Sequence, residues 1–165
     1  MSTIDETLKH NKHYAQSFEL GHLPRAPARN LAIVACMDAR MEVEQMLGLK
    51  TGDAHIIRNA GGIVSEDAIR SLIISHYLLG TQEFMVINHT ECGMLTFKDD
   101  ELITKLQETH QNSSVSPAAF HSFNDVEENV REQITKIKSH PWTPKNVPVR
   151  GFVYDVKNGS LKEIV

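Results

Sequence analysis

Short, unbroken apolar runs that alternate with helix-period segments constrain this chain more than any other feature. Leu31-Ala32-Ile33-Val34-Ala35 and Phe84-Met85-Val86-Ile87 are too short for helices and have the character of strands buried on both faces of a parallel sheet. His55-Ile56-Ile57-Arg58 supplies a strand between them, and residues 149–156 supply a later one. Helices fall in the intervals. One spans roughly 42–47; the next has Ser65 as N-cap, Glu66 and Asp67 in its first turn, Ile69, Leu72, Ile73 and His76 on one face, and Gly80 as its stop. Further helices are expected near 99–109 and where Val126, Val130, Ile134 and Ile137 recur at helical spacing. A polar loop over 111–117 and the prolines at 141, 144 and 148 punctuate the second half, and Asn158-Gly159 turns the chain towards a short tail. The order predicts an α/β fold with a mainly parallel sheet flanked by helices. The strand at 149–156 is read as a sheet edge, with an antiparallel direction open to it.

Upstream lies an arm, residues 1–22. Thr3 and Glu6 have capping-box spacing, and Leu8, Ala15 and Phe18 fall on one side, which predicts an amphipathic helix free to pack on a partner subunit. With 165 residues, the default is one domain over 1–165. A formal charge of −4 argues against a broad electrostatic grip on nucleic acid or anionic lipid. No run of about 18 apolar residues occurs, so no membrane span is expected, and without a signal-type start the expected location is cytoplasmic.

Chemistry concentrates at two strand ends. Cys36 closes the first apolar run, and His89-Thr90-Glu91-Cys92-Gly93 follows the third. In open α/β sheets, ligands sit beyond the carboxyl ends of strands. Two thiolates and an imidazole suit zinc, and three protein ligands rather than four leave a position for water or substrate. The plainer reading of Cys36 and Cys92 is a pair of buried thiols; a reversible disulfide lacks the usual Cys-x-x-Cys spacing. Asp38 and Arg40, two and four residues after Cys36, make either an ordinary surface ion pair or a carboxylate held beside a metal by a bidentate guanidinium. His55, His76, His110 and His121 are read as packing or surface residues, Met94, Leu95 and Phe97 as core or interface, and Trp142 as a loop anchor. Gly61-Gly62 is read as a tight turn, since the full Gly-x-Gly-x-x-Gly spacing of a nucleotide loop is absent.

Taken together, Cys36-x-Asp38-x-Arg40, Arg58-Asn59-Ala60-Gly61-Gly62 and His89-x-x-Cys92-Gly93 resemble the signature of the β-class carbonic anhydrases. The likeness runs from the N-terminal helix to Gly151-Phe152-Val153-Tyr154-Asp155 and is greatest to the short bacterial, archaeal and fungal branch. The resemblance implies one Zn²⁺ per chain on Cys36, His89 and Cys92, with Asp38 and Arg40 as a catalytic dyad and Asp38 as a fourth ligand in a resting form. It implies reversible hydration of CO₂ to bicarbonate and a proton by a hydroxide on the metal, with hydrolysis of carbonyl sulfide or carbon disulfide as the alternative. A thiol redox protein and a zinc module without turnover are the remaining readings. The resemblance further implies a homodimer or larger assembly with sites at the subunit interface. A substrate-orienting glutamine found in plant-type relatives has no counterpart in residues 26–34.

Overall fold

Strand β1 (Leu31–Cys36) is buried at every position after its first, because it lies in the middle of the sheet and has a layer on each side. The computed structural model describes residues 2–111, 113 and 117–165. Its five strands are β1, β2 (Ala54–Asn59), β3 (Glu83–His89), β4 (Val149–Tyr154) and β5 (Leu161–Ile164), in spatial order β2-β1-β3-β4-β5. The first four are mutually parallel, and β5 pairs antiparallel with β4.

Alternation along the strands sorts the side chains into two layers. Ala32, Val34, Phe84, Val86 and Val149 pack with Ala68 and Leu72 of α3 (Glu66–Leu79) and Ile137 of α5 (Val126–Ser139). Ile33, Ala35 and Ile87 face the other way, onto Met41, Val43 of the short α2 (Val43–Met46), Cys92 and Met94. Helix α4 (Asp99–His110) follows the turn Gly93–Leu95. Ser65 caps α3 by accepting from the Ala68 N–H, and Gly80 ends it at φ 79°, both as expected. Gly151 is needed where β4 meets α5: a Cβ there would lie 2.6 Å from Ile134 Cδ1.

Three expectations need correction. The 149–156 strand is an interior parallel strand that stops at Tyr154; the antiparallel edge is β5, in what the sequence suggests is a tail. Only Ile164 of β5 is buried, so that strand carries no apolar alternation to read. The cap of α1 (Thr3–Gln16) lies one residue earlier than Thr3/Glu6: the Ser2 hydroxyl accepts from the Asp5 N–H while the Asp5 carboxylate accepts from the Ser2 N–H. Trp142 is 66% exposed; its ring meets His140 edge-on and its carbonyl accepts from Tyr77. Residues 112 and 114–116 of the expected polar loop lie outside the described residues.

Candidate metal centre

Two adjacent parallel strands deliver the centre. Ala35 of β1 is level with Ile87 of β3, so Cys36 and His89 leave the same end of the sheet, where the chain order switches from β2 on one side of β1 to β3 on the other. Cys92 returns on the loop after β3, which turns back at Glu91 in the left-handed region, φ 55°. One ligand atom each from Cys36, His89 and Cys92 lies within 4.8 Å of the other two, and all three residues are buried. Asp38 is not a member of that group, although its Oδ2 stands 3.6 Å from His89 Nε2.

Second contacts orient the donors. His89 Nδ1 donates to the Thr90 carbonyl at 2.8 Å, which in the neutral ring leaves Nε2 with its lone pair. Nε2 is buried and, among the described residues, makes no hydrogen bond. An orphaned buried acceptor beside two thiols is costly in an ordinary core and is what a metal would relieve. The two sulfurs are 4.0 Å apart. Sharing a hydrogen bond, they split: the bond from Cys92 pulls the Cys36 thiol well down against desolvation, while Cys92, as its donor, is pushed up. Burial opposes charge on His89, but the Cys36 thiolate and Asp38 outweigh it and raise its pKa. The shared hydrogen bond thus favours the thiolate at Cys36, the form in which a cysteine binds a metal. The donor set, its spacing and its one unsatisfied nitrogen fit zinc.

Asp38 and Arg40 form the outer wall. Arg40 Nε donates to Asp38 Oδ1 at 2.9 Å and Nη2 to Oδ2 at 2.8 Å, a bidentate fork reinforced by the Arg40 N–H on Oδ1. These bonds hold the Asp38 carboxyl far below the usual carboxylate range. Arg40 also reaches the Glu91 carbonyl at 3.3 Å, and Glu91 pairs with Lys157. Asp38 is 18% exposed, which makes it the group between the buried donors and solvent.

Arg58 has a role that its place in the sequence does not show. At the end of β2 it donates to the carbonyls of Cys36 at 3.0 Å and Asp38 at 2.7 Å, bracing the stretch that carries both. The signal was available, since Ala35 pairs with Arg58 and Cys36 with Asn59 once β1 and β2 are placed in register. Gly61-Gly62 is a tight turn, as expected, and Gly62 is obligatory: at φ 61°, a Cβ would lie 3.0 Å from the Cys36 nitrogen and 2.6 Å from Asn88 Nδ2. His55 is a packing residue, bonded to Ser75 and the Arg25 carbonyl. Met94 is buried in the core beside Cys36 and Cys92.

Known proteins resemble this chain in sequence and in fold. The model of the carbonic anhydrase family matches residues 31–161. β-Carbonic anhydrase 1 of Mycobacterium tuberculosis is 47% identical over 165 residues, which span 99% of both chains. The chain belongs to the β-carbonic anhydrase family. The crystal structure of a carbonic anhydrase from Streptococcus mutans superposes with a TM-score of 0.93 at 42% identity, covering 100% of this chain and 99% of that one. A carbon disulfide hydrolase from Saccharolobus solfataricus is 36% identical, over 97% of this chain and 88% of its own. Within the β-carbonic anhydrase family, then, this chain is similar to proteins named for either reaction. Among the described residues, no helix is long and apolar enough to cross a membrane.

Proposed function

We propose that this chain is a zinc enzyme that catalyses the reversible hydration of CO₂ to bicarbonate and a proton, with Cys36, His89 and Cys92 as its metal ligands. The observation that carries the reading is the unsatisfied His89 Nε2 within reach of two buried sulfurs at a strand switch point. When bound, zinc supplies Lewis acidity, lowering the pKa of water and stabilising negative charge on oxygen.

The protein supplies orientation. Asp38 is kept ionised and pinned by Arg40, so its Oδ2 is a fixed acceptor on the open side of the donors. An oxygen nucleophile that donates its hydrogen to Asp38 has its lone pair turned towards the carbon of CO₂, and this positioning is the contribution assigned to the dyad. As a resting fourth ligand, Asp38 would first have to leave the Arg40 fork. Thr90 holds the imidazole in the ligating tautomer, and Arg58 holds the Cys36 and Asp38 backbone.

Hydrolysis of carbonyl sulfide or carbon disulfide is the second reading, favoured by the 36% identity to a carbon disulfide hydrolase. All three substrates are linear, apolar and electrophilic at carbon, so the same oriented nucleophile serves each. Rates with CO₂, carbonyl sulfide and carbon disulfide on one zinc-loaded preparation decide between them: CO₂ turnover should dominate, and a preference for a sulfur substrate would reverse the assignment.

A homodimer is part of this proposal. Every described residue from 2 to 22 is exposed, including Ile4, Leu8, Tyr14 and Phe18. A helix showing that much apolar surface is suited to cover a second copy of the chain. A cytoplasmic location is consistent with ligand thiols that must stay reduced.

A further inference from the structure

Three side-chain amides run through the interior behind the metal centre. Asn88, Asn129 and Gln133 are all nearly inaccessible. Asn88 Nδ2 donates to the Gly61 carbonyl at 2.8 Å and the Gly62 carbonyl at 3.3 Å; Asn88 Oδ1 accepts from Asn129 Nδ2 at 2.6 Å; Asn129 Oδ1 accepts from Gln133 Nε2 at 2.8 Å. Gln133 Oε1 accepts from the Val64 N–H at 2.9 Å and from Lys136 Nζ at 3.3 Å. Every amide points the same way, its donor towards Gly61 and its acceptor towards Lys136. Buried amides in such a chain polarise one another and have only one satisfied orientation.

The chain ends on backbone that touches the ligands. Gly61 and Gly62 are consecutive residues at positive φ, 81° and 61°, the most entropically expensive backbone to order. Gly62 lies against the Cys36 nitrogen, and Asn88 precedes His89 in β3. We propose that Asn129 and Gln133 of α5 are positioning residues that act through Asn88, clamping the Gly61-Gly62 turn so that Cys36 and His89 meet one metal ion at the correct spacing. The inference rests on the metal reading above.

One isosteric change exposes the directionality. In Gln133→Glu at alkaline pH, the carboxylate still accepts from Val64 and Lys136 but offers nothing to Asn129 Oδ1. Relief requires Asn129 to flip, which obliges Asn88 to flip and aim its Oδ1 at the Gly61 and Gly62 carbonyls. Those carbonyls cannot donate, so the conflict arrives at the turn. Gln133→Met cuts the chain without reversing it, and Val130→Ala loosens the same helix by packing alone.

The test compares these variants with wild type by the sulfur-to-metal charge-transfer absorption of the Co(II)-loaded protein and by zinc affinity in chelator competition. Gln133→Glu should move the band and weaken zinc about tenfold, the scale expected for residues that orient ligands. Gln133→Met should move both in the same direction by less, and carries the test if the charged variant does not fold. Val130→Ala should lower the melting temperature with band and affinity unchanged. Wild-type values in both Gln133 variants, or an equal shift in Val130→Ala, would overturn the proposal while leaving the metal reading intact. A wild-type protein that takes up neither metal would overturn both.

Discussion

The end of the sheet that gathers Cys36, His89 and Cys92 and the N-terminal helix are ordered by opposite means. At the ends of β1 and β3, Cys36, His89 and Cys92 are buried and braced by Thr90, Arg58 and the Gly61-Gly62 turn, so their positions follow from packing within this chain. Helix α1 has a complete capping box but no buried residue. A cap contributes about 1 kcal/mol, and an isolated helix of 14 residues is marginal in water. A locally well-specified element thus still needs a tertiary surface, whereas a site of three distant residues needs little local propensity once its strands are paired.

The largest expected effect breaks the internally ordered side. Cys92→Ser should remove zinc and activity together, with turnover down by at least about a hundredfold and metal analysis well below one per chain. Gly62→Ala should cost about 1–3 kcal/mol in denaturant unfolding and weaken zinc, because its Cβ would press on the Cys36 backbone at a positive φ. Asp38→Ala separates binding from chemistry: zinc content should be kept while kcat falls about a hundredfold with the metal still in place, and metal loss in this variant would show that Asp38 acts as a ligand.

Deleting residues 2–22 probes the other side. Mass measured by light scattering should fall from dimer to monomer, while zinc content of the shortened chain stays near one; loss of zinc would mean that the arm supports the site directly. The smallest effect concerns Asp99, which accepts from the N–H groups of Phe120, His121 and Ser122 near the Phe123–Met94 contact. Desolvation pushes its pKa up, but these bonds outweigh it and bring it down to about 2 from 3.8. A lowered folded-state pKa means that the stabilisation is complete above about pH 4 and is lost as pH falls towards 2. Asp99→Asn should flatten that limb of the acid unfolding curve by less than about 1 kcal/mol, since the carboxylate is solvent-screened.

Much of this architecture is legible in the amino acids because burial leaves a periodic trace. The apolar runs of β1 and β3 and the stripe Val126, Val130, Ile134, Ile137 of α5 report their surroundings directly. Cys36 and the His89/Cys92 pair stand out because they sit where those runs stop. What escapes reading depends on tertiary partners. Gln133 falls on the same helix face as Val126, Val130 and Ile137, with Asn129 at its margin, but nothing local reveals that Asn88 meets them from a strand. Arg58 resembles a surface cation until the register of β1 and β2 brings it under Cys36. Strand β5, with one buried residue in four, leaves too small a trace to be seen.

X-ray absorption at the zinc edge, on freshly purified chain, reads the ligand set itself. One zinc per chain is expected, with two sulfur neighbours, one imidazole nitrogen and a further light atom. A metal shell without sulfur, or a fully active preparation carrying no zinc, would contradict it.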